Sequence, residues 1–90
     1  MAEVILDLRT LDNAEKVQCC LMQQLDLPFY YGKNLDALYD ELMAWNQQTT
    51  FVMLLPQQLA GGMADYFPRL IRVFKDAAHE NPAISIEVRS

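Results

Sequence analysis

The run Thr49-Thr50-Phe51-Val52-Met53-Leu54-Leu55, closed by Pro56, constrains the fold more than any other part of this chain. Two β-branched residues lead into five consecutive apolar ones. A strand with one wet face alternates polar and apolar residues, whereas a continuous apolar run suits a strand in a parallel sheet. Pro56 cannot donate to a strand ladder and ends the run. Two weaker strand signals lie near the ends. Val4, Leu6 and Leu8 alternate with Glu3, Ile5 and Asp7, and Ile84, Ile86 and Val88 alternate with Ser85, Glu87 and Arg89.

The intervening stretches carry helical periods. Asp12 or Asn13 can cap a helix whose apolar line is Ala14, Val17, Leu21 and Leu25. Asn34 can cap a second, with Leu35, Leu38, Tyr39 and Leu42 at i, i+3, i+4 and i+7, running to near Asn46. Gln57 to Gly62 reads as a turn or brief helix closed by Gly61-Gly62, which lacks the spacing of a phosphate loop. Asp65 is expected to cap the last helix, with Pro68 in its first turn, where a missing N–H costs little. Tyr66, Phe67, Leu70, Ile71, Phe74, Ala77 and Ala78 form its apolar stripe, and Asn81-Pro82 stops it. The order is β-α-α-β-(short α)-α-β, which favours parallel pairing and right-handed crossovers in an α/β fold. No repeat, linker or low-complexity segment interrupts the chain, so residues 1–90 read as one domain.

With 52% hydrophobic residues, 90 residues suffice for one core. Met22, Met43, Met53 and Met63 are expected to fill gaps in it, and His79 to lie on a helix surface. The net charge of −5 argues against nonspecific binding to nucleic acid or anionic lipid and permits a basic protein partner. Cys19 and Cys20 are adjacent, and helical neighbours point about 100° apart, so no structural disulfide is expected. That fits a reducing compartment. The start has no signal-peptide pattern, and no apolar run approaches the ~18 residues of a membrane helix. A soluble, cytoplasmic protein is the expectation.

The segment from Leu25 to Leu42 is where function is most legible. Pro28 and Gly32 bracket an aromatic loop, since proline fixes φ and glycine admits positive φ. The helix that follows carries Asp36 and Asp40 four residues apart, on the face away from Leu38 and Leu42. Like charges at that spacing cost roughly 0.2–0.5 kcal/mol in a bare helix. A fold does not need such a pair; a cationic partner uses it. By residue type alone the two acids fit a solvated face, a general acid–base pair, metal ligands or binding anions. Paired catalytic carboxylates need burial or close coupling, and a metal needs more convergent ligands. Glu41 either widens the negative field or is simply solvated, and Tyr30 and Tyr31 suit a core as well as a surface.

The pattern from Pro28 to Asp40, Pro-x-Tyr-Tyr-Gly-x-Asn-Leu-Asp-Ala-Leu-(aromatic)-Asp, resembles the signature of barstar-type ribonuclease inhibitors. Trp45, five residues past Asp40, and the stretch Val73-Phe74-Lys75-Asp76-Ala77 extend the likeness, which covers almost the whole chain. The resemblance implies three parallel strands packed against helices, and a cytoplasmic one-to-one plug for a basic, barnase-like microbial ribonuclease. The free inhibitor is then a monomer with no catalytic residues, metal or cofactor. It also implies binding roles for particular residues. Asp36 and Asp40 face the nuclease active site, Asp40 as the dominant contact, and Tyr30 covers the catalytic histidine. Gly32, Asn34, Leu35, Tyr39, Ala44, Trp45 and Asp76 lie at or near the interface. Tyr39 replaces a more familiar Trp, Ala44 a Gly, and Asp76 a Glu one methylene longer. Glu41 and Pro82 stand where other members place cysteines. A carboxylate on a rigid helix can take the place of substrate phosphate and accept bidentate arginine bonds. Two other classes compete: a small acidic hydrolase using Asp36 and Asp40, and a module of the same fold that binds some other basic protein.

Overall fold

The computed structural model describes residues 2–57 and 63–89. Strand β1 (Ala2–Asp7) leads to helices α1 (Ala14–Gln24) and α2 (Leu35–Met43), then to β2 (Thr49–Leu54), α3 (Met63–Glu80) and β3 (Ile84–Arg89). The three strands form one parallel sheet in the order β1-β2-β3. The continuous apolar run therefore sits between two partners, and Phe51, Val52 and Met53 are all buried.

Register and period explain the core. Val4, Phe51 and Ile86 align across the sheet, as do Leu6, Met53 and Val88. Leu6, Phe51 and Met53 are sealed by Val17 and Leu21 of α1, Leu38 and Leu42 of α2, and Phe67, Leu70, Phe74 and Ala77 of α3. Phe51 lies centrally, with the rings of Trp45 and Phe74 at 5.3 and 5.5 Å. Removing a core ring of this kind costs about 3–5 kcal/mol. On the opposite face Val52 is buried while its β1 neighbour Ile5 is half exposed.

Both early helices are capped by asparagine. Asn13 Oδ1 accepts from the Lys16 amide at 2.8 Å, and Asn34 Oδ1 from the Ala37 amide at 2.7 Å. Each satisfies a donor that the helix itself leaves open.

Four expectations shift. Helix α2 ends at Met43, short of Asn46, with Ala44 as its cap. Met43 is exposed there, so it fills no core gap. Helix α3 starts at Met63, which places Asp65 in its first turn and Pro68 inside the helix. Burial of Met63 beside Phe67, one turn on, accounts for the earlier start, and it leaves the Ala64 carbonyl without its helical donor at Pro68. Gly32 is not in the left-handed region; the positive φ falls at Asp26 (52°) and Lys33 (54°). Gly32 instead supplies room, since a Cβ there would lie 3.2 Å from Asn34 Nδ2. The short element expected near Gln57 to Gly62 falls mostly outside the described residues.

Candidate functional site: an acidic helix beside a pinned aromatic turn

The loop between α1 and α2 is fixed at both ends. Helix α1 closes with Leu27 N–H donating to the Met22 carbonyl at 3.0 Å, across Asp26 in the left-handed conformation. Leu27 and Tyr31 are both buried. Between them Tyr31 N–H donates to the Pro28 carbonyl at 3.0 Å, closing a β-turn with Phe29 and Tyr30 at its corners. Those two side chains are 91% and 75% exposed, with rings edge to face at 5.6 Å. The turn thus displays a preset aromatic pair.

Tyr31 points the other way. Its hydroxyl donates to Gln18 Oε1 at 2.6 Å and lies 3.3 Å from the Asn34 carbonyl. Gln18 Nε2 in turn donates to the Tyr66 hydroxyl at 2.8 Å. This chain ties α1, the loop, the α2 cap and α3 together. Burial pushes the phenol of Tyr31 well above its ordinary range and raises that of Tyr66, because a buried phenolate loses its hydration.

Helix α2 follows directly from this loop. Asp36 and Asp40 are exposed, and Glu41 is half-buried. The helix has no basic residue, and none of the three has an ion-pair partner among the described residues. Five acids elsewhere, Asp7, Asp12, Asp65, Asp76 and Glu87, each have a basic neighbour, whereas Glu3, Glu15, Asp26 and Glu80 have none among the described residues. The Arg9 guanidinium and amide beside Asp7 hold that carboxyl down to about 2. Helix α2 therefore carries three unpaired carboxylates within two turns. Asp36 also lines a cleft of about 460 Å³ together with Lys33, Gln18, Tyr66 and Arg69.

The other candidate residues lie on α2 or next to it in the chain, except Asp76, which is on α3. Leu35 and Tyr39 are half-buried against the core, and Gly32, Asn34 and Ala44 are exposed. Trp45 is half-buried; its Nε1 donates to Thr49 Oγ1 at 2.8 Å. Asp76 is exposed on α3, with its carboxylate 3.8 Å from Arg72 one turn back. His79 is also exposed on α3, and Cys19 and Cys20 are free.

Three residues take roles that the local sequence pattern does not mark. Phe29 carries no periodic signal; only its place between Pro28 and the tyrosines hinted at a turn. Gln18 borders the α1 stripe, one turn past Ala14, yet is 2% exposed. Asn81 looked like a stop signal, but its Nδ2 donates to the carbonyls of Leu42 and Trp45, each at 2.9 Å. Its Oδ1 accepts from the Ala83 amide at 3.0 Å. It thereby satisfies the end of α2 and starts the turn into β3.

No helix among the described residues is long and apolar enough to cross a membrane. The class is that of a small α/β protein with one parallel sheet, which presents an unpaired acidic helix next to a fixed aromatic turn. More particularly, the chain belongs to the barstar family: the family described as Barstar (barnase inhibitor) matches residues 1–89. A Bacillus subtilis (strain 168) protein named "Putative ribonuclease inhibitor YrdF" is 32% identical over 81 residues, covering 89% of this chain and 89% of that protein.

Proposed function

We propose that this chain inhibits a basic ribonuclease, binding one to one in the cytoplasm and blocking the active site without chemistry of its own. The observation that carries this is the set of carboxylates on α2 with no cation of their own, displayed beside Phe29 and Tyr30. An RNase active site is a cationic pocket for phosphate. Asp40, held on a helix whose ends are both satisfied, supplies two acceptor oxygens in a fixed place, and Asp36 adds charge near the same pocket. Tyr30 covers the catalytic histidine. Gly32, Asn34, Leu35, Tyr39, Ala44, Trp45 and Asp76 shape the surrounding contact. Membership of a family described by barnase inhibition supports the reading, as does the name of the Bacillus relative.

The exposure of Asp36 and Asp40 weighs against the hydrolase alternative, because paired catalytic carboxylates need environments that split their proton affinities. The test is titration of barnase with the purified chain while RNA cleavage is followed. The expected result is stoichiometric loss of activity that Asp40→Ala relieves, with no RNA or phosphoester turnover by the chain alone. Turnover abolished by Asp40→Asn at unchanged stability would overturn the inhibitor reading in favour of an enzyme.

A further inference from the structure

A hollow of about 180 Å³ opens where α2 ends, lined by Glu41, Ala44, Trp45, Asn46 and Gln47. Three of its features attract positive charge. The Glu41 carboxylate is half-buried and has no ion-pair partner among the described residues. The last turn of α2 carries no basic residue, so apart from the neutral Asn81 amide no charge of the chain's own offsets the negative pole of the helix. The Trp45 indole is held in one pose by its bond to Thr49 Oγ1 at 2.8 Å and its edge contact with Phe51. An indole face fixed in this way attracts a cation with no further loss of side-chain freedom.

Neither Asp36 nor Asp40 lines this hollow, so it is separate from the carboxylates assigned to the nuclease active site. Its size suits one long side chain. Arginine fits better than lysine: guanidinium is flat, weakly hydrated, stacks on aromatic rings and forks onto a carboxylate. We infer that the hollow receives an arginine side chain of the ribonuclease, stacked on Trp45 and paired with Glu41, an inference that rests on the inhibitor reading above. Glu41 is then a specificity residue that selects nucleases carrying arginine at the matching point.

Trp45 is the sole tryptophan, so fluorotryptophan labelling gives one fluorine resonance that reports on the hollow. The probe is acetyl-arginine-methylamide, titrated at fixed ionic strength against wild type, Glu41→Gln and Asp40→Ala. A saturable shift is expected in wild type and in Asp40→Ala, with affinity about threefold or more weaker in Glu41→Gln, as for loss of a partly exposed ion pair. No saturable shift in wild type, or an equal one in Glu41→Gln, overturns the assignment. Barnase inhibition by the same proteins distinguishes the two claims. If wild type leaves barnase active while the probe response depends on Glu41, the inhibitor reading falls for barnase and the cation site stands. If Asp40→Ala relieves inhibition but the probe finds no site, the converse holds.

Discussion

At the scale of single residues, display and support are divided between neighbours. Asp40 and Phe29 project into solvent, so truncating either opens no cavity. Asp40→Ala is expected to leave the melting temperature unchanged, or to raise it slightly by relieving repulsion with Asp36. In the complex it strands partner arginines, at about 2–5 kcal/mol, a range that measurements on barnase–barstar itself helped to set. Inhibition constant against melting temperature is the comparison that decides it. Wild-type inhibition by Asp40→Ala would show that Asp40 is not the main contact. Phe29→Ala should weaken inhibition by roughly tenfold, the usual effect of losing a well-seated aromatic, again at constant stability. An unchanged inhibition constant would show that the exposed ring is idle. Tyr31→Phe should behave in the opposite way. It removes the donor to Gln18 Oε1 and should cost about 1–2 kcal/mol in urea unfolding at neutral pH. The pH dependence follows from the burial of this phenol. The folded chain keeps the Tyr31 proton beyond the pH near 10 at which the unfolded chain releases it, so stability is intact below about 10 and falls above it. Urea titrations between pH 7 and 11 should therefore show a shallower alkaline decline in Tyr31→Phe than in wild type.

At the scale of elements, α2 holds its charged face because other parts of the chain hold its ends. Asn34 caps the start, and the Asn81 amide satisfies the carbonyls of Leu42 and Trp45. Asn81→Ala is expected to destabilise the fold by about 2–3 kcal/mol, since buried acceptors lose their donor. Hydrogen exchange should show the last turn of α2 opening first. Equal protection there in the variant would mean that the cap is not what fixes the helix end. The same residue shows why the sequence was legible only in part. The three strands, the existence of the acidic helix and its Asn34 cap rest on local periods or three-residue spacings and are legible in the sequence. The end of α2 at Met43 and the choice of Asn13 over Asp12 need the structure. Asn81 acts across 39 positions, which no local pattern encodes. Helix α3 departs from its local signals for a related reason. The proline and Asp65 suggested a start near residue 65, but burial of Met63 recruits another turn. The acids of α2 were visible in the sequence, whereas their lack of cation partners became visible only with the neighbouring elements in place.

At the scale of the whole molecule, a chain of charge −5 sets three unpaired acids close together on one short helix. Association with a basic nuclease should therefore be steered by charge, reaching ~10⁸ M⁻¹s⁻¹ in dilute buffer and falling steeply with salt. Screening over about 8 Å at physiological ionic strength sets the range of that effect. Stopped-flow rates that do not change between dilute buffer and high salt would contradict it. The lock that Asn81 places on α2 has a consequence for synthesis. A chain leaving the ribosome exposes the acidic helix long before the residue that fastens its end emerges. A product interrupted before Asn81 would contain Tyr30, Asp36 and Asp40 but lack β3 and the amide that holds the end of α2. On the inhibitor reading, a stop codon just ahead of Asn81 should weaken inhibition even though every carboxylate of α2 is present.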